Sequence, residues 1–326
     1  MIKKYLVWSL LLLVAQAVAL VGCDRKEKAP RGAPVKVRFG EIGVSERAIP
    51  VYLGVKKGFF LKRGVDLEIR RFNGGSELMT AAAAGEIDAG SVGTPVILAA
   101  AKGLPVKVIG SPVAPGNPFI LVGKPSYATV AELKGKKIGA GNLGGGARQA
   151  FLAIIKAKGL TPGDFLALNT GGTSNAFAAL QAGQLDAVIT TELSAAKAEL
   201  GGFGKVLARA VDFFGHYQHS FFFATDGFIN SRPDKVKGFL AAYRESIRYA
   251  NEHPEEVVAY GAKELELEED ALRRVLTGAI PTWDESGAVD LEGTNNAIKA
   301  LKELGELEPS NPITAERLVD ARFQAR

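Results

Sequence analysis

A short signature occurs twice in this chain, 98 positions apart. The first copy joins Gly74-Gly75-Ser76 to Gly85-Glu86-Ile87-Asp88-Ala89, and the second joins Gly172-Thr173-Ser174 to Gly183-Gln184-Leu185-Asp186-Ala187. The loop, the helix and the following strand stay in step in both copies, which favours two lobes built on one plan with a cleft between them. The alternative is coincidence between two strand–helix–strand units, since glycine commonly follows a helix.

The first 22 residues have the pattern of an export signal. Lys3 and Lys4 form a basic start, and residues 6–21 are apolar apart from Ser9 and Gln16. Cys23 follows directly, which resembles the bacterial lipoprotein box and implies lipidation of Cys23 after cleavage. An uncleaved anchor is the alternative, because the apolar run nearly reaches membrane-spanning length. Both interpretations place the body outside the cytoplasm, with residues 23–34 as a solvated tether.

Composition narrows the function classes. The chain is 47% hydrophobic and 23% charged, which is typical of a soluble globular body. Its net charge of +5 falls to +3 without Lys3 and Lys4, and no basic stripe interleaved with aromatics is present, so nucleic-acid binding is not expected. Cys23 is the only cysteine, so the body has neither a disulfide nor a thiolate metal site nor a cysteine nucleophile.

Strand and helix patterns alternate along the body, which predicts a parallel α/β sheet in each lobe. Predicted strands include 35–40, 65–69, 87–92 and 106–110 in the first lobe, and 137–139, 165–169 and 185–189 in the second. Residues 119–122 and 220–225 are predicted to be crossover strands between the lobes. Lobe I is therefore expected to be discontinuous, comprising 35–117 and 226–326, with lobe II at 118–225.

An ordered set of segments resembles the bacterial solute-binding proteins of ABC importers, in the branch that binds nitrate, sulfonates, taurine or thiamine-pyrimidine precursors. The similar segments include Gly54–Phe60, Ala84–Asp88, Ala101–Lys107, Ala131–Gly139 and Gln181–Ala187. The resemblance implies the two-lobed periplasmic-binding-protein fold, with two Rossmann-like lobes joined by two crossover strands and closing on a ligand. It also implies an ABC permease as partner.

Ligands of open α/β sheets bind beyond the carboxyl ends of the strands, where helices begin. The turns at those positions are rich in Gly, Ser and Thr, which expose backbone N–H groups and hydroxyls and suit an anion or a small polar head. Arg148 is a candidate for a bidentate contact to an anion, with a solvent-facing side chain as the alternative, and Glu192 leaves open an amine or a ring nitrogen. Simple helix capping by Ser76 and its counterparts is the structural alternative. The candidate ligand residues are Ser45, Gly75, Ser76, Gly93, Thr94, Gly144, Gly145, Arg148, Thr173, Thr191 and Glu192.

Three other signals are set aside. Gly139–Gly144 matches the dinucleotide fingerprint, but no acidic residue follows the next strand. His216 and His219 are interpreted as core or rim aromatics on a strand rather than metal ligands. Asp88 and Asp186 are expected to have structural roles, because each opens a strand at the end away from the cleft.

The sequence therefore predicts a monomeric, membrane-tethered solute-binding lipoprotein that hands a small molecule to a permease, without cofactor, metal or catalysis. An exported receptor domain serving a sensor protein is the alternative, and an enzyme on the same fold is a further one. Nitrate, a sulfonate, a carboxylate and a pyrimidine all remain open as ligands.

Overall fold

The computed structural model describes residues 33–43, 45–141, 145–278 and 283–324. The predicted signal segment, the lipidation at Cys23 and most of the tether lie outside the described residues. From residue 32 onward the chain forms one compact unit.

Two five-stranded sheets organise this unit. The first sheet has the order β2-β1-β3-β10-β4 and the second has the order β7-β6-β8-β5-β9. The first sheet consists of β1 (Val35–Ile42), β2 (Val65–Phe72), β3 (Ala89–Val92), β4 (Val106–Gly110) and β10 (Phe221–Thr225). The second consists of β5 (Ile120–Gly123), β6 (Lys137–Gly139), β7 (Leu166–Leu168), β8 (Ala187–Thr190) and β9 (Lys205–Arg209).

Each sheet is mixed, which corrects the expectation of purely parallel sheets. β1 pairs in parallel with β2 and β3, and β6 pairs in parallel with β7 and β8. The two crossover strands run the other way: β10 is antiparallel to β3 and β4, and β5 is antiparallel to β8 and β9. The predicted boundary at residue 225 assigns β10 to lobe II. The structure places this strand in the first sheet, which belongs to lobe I.

Helices connect the strands and cover the sheets, as right-handed parallel crossovers require. In the first lobe they are α1 (Ile49–Lys56), α2 (Phe59–Lys62), α3 (Gly75–Ala83) and α4 (Pro95–Ala101). In the second they are α5 (Gly146–Ala157), α6 (Thr173–Gln181), α7 (Glu192–Leu200) and α8 (Val211–Phe214). The chain then continues through α9 (Asp226–Ser231), α10 (Pro233–Glu252), α11 (Pro254–Leu265), α12 (Glu269–Leu276), α13 (Leu291–Glu303) and α14 (Ala315–Leu318).

Apolar residues from both faces of each sheet form separate cores. Phe39, Phe222, Phe239 and Tyr243 stack within the core of the first sheet. The second sheet packs on α5 through residues such as Phe151. A further cluster joins the lobes, because Leu193 and Ala196 of α7 pack with apolar residues of α1 and α12.

The repeated aspartates hold the amino ends of the two sheets in the same way. Asp88 accepts from the backbone N of Arg38 at 2.9 Å, and Asp186 accepts from the backbone N of Lys137 at 3.0 Å. Each aspartate N–H donates back to the carbonyl of the same partner at 2.9 Å. We call each pair of contacts, Asp88 with Arg38 and Asp186 with Lys137, an aspartate clamp. The duplicated signature therefore places the same clamp between neighbouring strands in each lobe.

Candidate functional site

A cavity of about 260 Å³ lies where the carboxyl ends of strands from both sheets meet. We call it the turn cavity, since the turns that follow β1, β2, β3, β6, β7 and β8 form its walls. Backbone amides and small hydroxyl groups dominate this lining, and helices α3, α4, α5, α6 and α7 begin here. Its lining includes Gly43, Ser45, Gly74, Gly75, Ser76, Ser91, Gly93, Gly141, Gly145, Gly146, Gly172, Thr173, Ser174, Thr191 and Ser194.

Two ionisable side chains from the first lobe also line the turn cavity. Glu41, at the end of β1, is 6% exposed, and Arg47 follows one turn later. Burial raises the pKa of Glu41 to about 8, despite a hydrogen bond from the backbone N of Ile42. Below pH 8 the carboxyl is therefore mostly protonated, while Arg47 keeps its positive charge. Arg47 Nε also lies 3.8 Å from Glu46 Oε1, so part of the Arg47 charge is offset within the protein.

His219 lies between the lobes at the wall of the same cavity. Its Nδ1 is 3.2 Å from Ser220 Oγ, and its buried Nε2 has no hydrogen-bond partner among the described residues. A Cβ added to Gly93 would lie 2.6 Å from His219 Cε1, and one added to Gly146 would overlap Nε2. Burial, with Arg47 nearby, lowers the pKa of His219 to about 3. The ring is therefore neutral at physiological pH and is packed between two glycines, one from each lobe.

A second cavity, of about 510 Å³, adjoins the first. We call it the hinge cavity, because residues 113–120, which connect β4 to β5, form one wall. Helices α7 and α12 supply most of the rest. Arg47 and Phe119 line both cavities, so these two side chains stand at the boundary between them.

Direct contacts hold the two lobes together around these cavities. Thr94 Oγ1 donates to Gln149 Oε1 at 2.6 Å in a fully buried contact. On the hinge side, Arg274 of α12 pairs with Glu199 of α7 at 2.6 Å. The lobes thus meet on both sides of the turn cavity.

Comparison with known proteins assigns this arrangement to a family. The sequence profile described as NMT1/THI5 like matches residues 46–257, which include both walls of the turn cavity. The chain belongs to the NMT1/THI5-like family. A curated relative from Candida albicans, named 4-amino-5-hydroxymethyl-2-methylpyrimidine phosphate synthase, is 31% identical over 65% of this chain. The alignment spans 66% of that relative, just under two thirds of its length.

Solved structures establish the fold of this NMT1/THI5-like chain. The alkanesulfonate-binding protein SsuA from Xanthomonas axonopodis pv. citri, bound to MOPS, superposes with a TM-score of 0.75. It is 21% identical, and the match covers 89% of this chain and 99% of SsuA. The periplasmic nitrate-binding protein NrtA from Synechocystis PCC 6803 gives 0.71 at 17% identity, covering 86% and 84% of the two chains. The predicted two-lobed periplasmic-binding-protein fold is thereby confirmed.

Most of the ligand residues predicted from sequence converge on the turn cavity of this NMT1/THI5-like protein. They come from turns of both lobes, as the rule of strand carboxyl ends requires. Those that line it are Ser45, Gly75, Ser76, Gly93, Gly145, Thr173 and Thr191.

Three of the predicted residues are placed elsewhere. Thr94 is fully buried beside Gln149, and Glu192 lines the hinge cavity, where it pairs with Arg209. Arg148 is half-buried on α5 and lines neither cavity. Gly144 lies outside the described residues.

The capping role suggested for Ser76 is not observed. α3 begins at Gly75, two residues earlier than the start at Glu77 that capping by Ser76 predicts, and Gly74 occupies the N-cap position. The Glu77 carboxylate accepts from the backbone N of Asn73 at 3.0 Å and so binds the chain entering the helix. Ser76 is exposed and remains available to the turn cavity.

Sequence reasoning overlooked Glu41 and Arg47 as site residues, although both follow the first strand at the predicted end. It also placed His216 and His219 on one strand, whereas β10 begins only at Phe221. The irregular backbone before β10 separates the two rings: His219 enters the turn cavity and half-exposed His216 pairs with Asp290. The clustering of both with aromatic residues gave no sign of this separation.

Two further observations concern the described residues alone. No three His, Cys, Asp or Glu side chains among them are grouped to hold a metal ion. None of their helices combines the length and apolar character that crossing a bilayer requires.

Proposed function

We propose that this protein is an extracytoplasmic solute-binding protein of an ABC importer, which captures a small anionic or polar molecule in the turn cavity and presents it to a membrane permease. The main support is the turn cavity itself, since its walls come from both lobes and a guest there touches both. Closure of hinged lobes on such a guest is the usual mechanism of capture in this fold.

The charges of the turn cavity favour an anionic head. Arg47 carries a positive charge, while Glu41 and His219 are neutral near pH 7. Helix N-termini contribute about 0.3–1 kcal/mol each to an anion, whereas a micromolar ligand needs about 8 kcal/mol. Arg47 and the neutral donors of the Gly, Ser and Thr turns supply the directed hydrogen bonds that helix ends lack. A sulfonate, a carboxylate or nitrate therefore suits the cavity better than a cation does.

Binding without chemical change is the second part of the proposal. His219 is the only histidine that lines the turn cavity, and its lowered pKa makes it a weak base at neutral pH. The similar structures are titled as binding proteins.

Anchoring through a lipid on Cys23 is the third part, and it rests on the sequence alone. A Cys23→Ser variant expressed in a bacterium should leave the membrane fraction while keeping the folded body. Retention of this variant in the membrane would instead favour an uncleaved anchor.

The decisive experiment is a thermal-shift panel on the purified chain with nitrate, methanesulfonate, acetate and 4-aminopyrimidine. A ligand that binds only the folded state raises the melting temperature. Ser76→Trp, at the exposed rim of the turn cavity, serves as a blocked control and should abolish any shift. No shift with any compound, on folded and ligand-free protein, would refute capture of this class of ligand.

An enzyme on this fold is a second candidate, because the Candida albicans relative is named a synthase. His219 lines the turn cavity, and its buried Nε2 has no hydrogen-bond partner among the described residues. Mass spectrometry after incubation distinguishes the two candidates: a bound compound recovered unchanged supports transport, and a converted compound supports catalysis.

A further inference from the structure

The hinge cavity has no part in the function proposed so far, although it is the larger of the two cavities. Its walls are mostly apolar, with side chains such as Val113, Ile120, Ala195 and Val211. Pockets that bind small-molecule ligands usually have volumes of about 300–1,000 Å³, and the turn cavity of about 260 Å³ does not reach this range alone. Together the two cavities lie well within that range.

Two buried polar atoms in the wall of the hinge cavity lack hydrogen-bond partners among the described residues. They are Oε2 of Glu46 and Nδ2 of Asn117, on side chains of residues that are 1% and 4% exposed. Asn117 Oδ1 is already used, since it accepts from the backbone N of Phe119 at 3.1 Å. Buried polar groups are nearly always paired, so unpartnered ones in a cavity wall point to a missing ligand group.

The remaining charges of the hinge cavity are matched within the protein. Glu192 pairs with Arg209, and Glu199 pairs with Arg274. Glu46 Oε1 lies 3.8 Å from Arg47 Nε, so the charge of this carboxyl group is also matched within the protein. The environment of Glu46 and Asn117 therefore suits an uncharged group that both accepts and donates, as a primary amide does.

We propose that the two cavities form one bipartite site, in which the ligand's polar head lies in the turn cavity and an apolar arm passes Arg47 and Phe119 into the hinge cavity. The arm ends in an uncharged hydrogen-bonding group that meets Glu46 and Asn117. This inference rests on the proposed binding function and adds the ligand's length and terminus to it.

The test measures Kd by calorimetry for three matched probes: methanesulfonate, hexane-1-sulfonate and hexane-1-sulfonate with a terminal primary amide. The corresponding carboxylates form a parallel series. Each buried methylene multiplies affinity by about four, so the six-carbon probe should bind at least tenfold more tightly than the one-carbon probe. The terminal amide should add about a further fivefold.

Three variants locate the effect. Val211→Trp, at a position 37% exposed in the hinge-cavity wall, should remove the gains from chain length and amide while leaving the one-carbon probe unchanged. Leu291→Trp, at an exposed position that lines neither cavity, is the matched control and should change nothing. Asn117→Leu removes the donor without adding a charge, so it should abolish the amide gain while the gain from chain length persists.

The outcomes separate the two proposals. Tight binding of one-carbon probes with no gain from the longer arm, or a gain that survives Val211→Trp, overturns the bipartite site and leaves the solute-binding function standing. A chain-length gain without an amide gain overturns the assignment of Glu46 and Asn117. If no probe of any length binds to the folded protein, both proposals fail together.

Discussion

The two lobes are alike at the amino ends of their sheets and different at the carboxyl ends. At the amino ends, Asp88 and Asp186 form the same backbone clamp with Arg38 and Lys137. At the carboxyl ends, the acidic and the basic side chain of the described turn-cavity lining, Glu41 and Arg47, both come from the first lobe. The second lobe contributes backbone amides, hydroxyls and one aromatic wall to the same cavity. The duplicated aspartates thus specify the scaffold, whereas Glu41 and Arg47, which have no duplicate in the signature, give the site its ionisable groups.

The clamps themselves differ in their side-chain partners. Asp88 receives Nε and Nη2 of Arg38 at 3.0 and 2.5 Å, a two-pronged contact to its two oxygens. Asp186 receives Lys124 Nζ at 3.1 Å and Tyr127 Oη at 3.2 Å, which are longer single contacts. The hydrogen bond to Asp88 raises the pKa of Arg38. Burial raises the pKa of Asp186, but the bonds from Lys137 N and Lys124 outweigh it and lower that pKa overall.

The largest expected effect is on Arg47, which is the one basic side chain among the described residues that line the turn cavity. Arg47→Gln should weaken an anionic ligand about 100-fold, because a charged, buried hydrogen bond is replaced by a neutral one. Arg148→Ala is the comparison from the second lobe: the sequence predicts a tenfold loss, whereas the position of Arg148 outside both cavities predicts none. Calorimetry on both variants decides between them. An unchanged Kd in Arg47→Gln would show that the positive charge of the first lobe does not contribute to anion binding.

The second-largest expected effect is a loss of stability when an aspartate clamp is removed. Asp88→Ala should lower the free energy of unfolding by about 2 kcal/mol and Asp186→Ala by about 1 kcal/mol, since charge-assisted and two-pronged bonds are the stronger ones. Urea denaturation at pH 7 measures both, and Asp66→Ala, at an exposed position on β2, is the control. Equal losses would show that the shared backbone bond carries the clamp and that the differing side-chain partners contribute little.

A smaller effect is expected where the lobes meet at His219. Gly146→Ala places a methyl group against His219 Nε2, with Phe119 Cε2 at 3.0 Å, and should weaken ligand binding about tenfold by obstructing closure. Gly227→Ala, within α9, has open space around its added Cβ and should leave affinity unchanged. Normal affinity in Gly146→Ala would mean that His219 moves away at little cost.

The sequence predicted much of the scaffold and less of the site. The alternation of strands and helices and the duplicated turns predicted two lobes, and Gly75, Ser76 and Thr173 were correctly expected to lie at strand carboxyl ends, because these patterns are local. The direction of a strand within its sheet and the burial of a side chain are not determined by local sequence. The antiparallel course of β10 depends on pairing with β3 and β4, and the burial of Glu41 depends on packing from several elements. Arg148 was selected for its charge and place near a helix start, but which way its helix faces is fixed by the core of the second lobe.

The smallest expected effect is the pH dependence that the first lobe imposes on anion binding. With the pKa of Glu41 raised by burial to about 8, the carboxyl is neutral below that pH in the free protein, and affinity should be flat there. Above pH 8 the free protein loses this proton, whereas an adjacent anion favours keeping it, so binding becomes coupled to proton uptake and weakens as pH rises. Between pH 7 and 8.5 the Kd of an anionic ligand should increase about fourfold, as this linkage gives for a single group. Glu41→Gln keeps a neutral hydrogen-bonding side chain and should flatten the profile. A fourfold change that persists in Glu41→Gln would place the titrating group elsewhere, and the first lobe would then supply the positive charge of the site but not its dependence on pH.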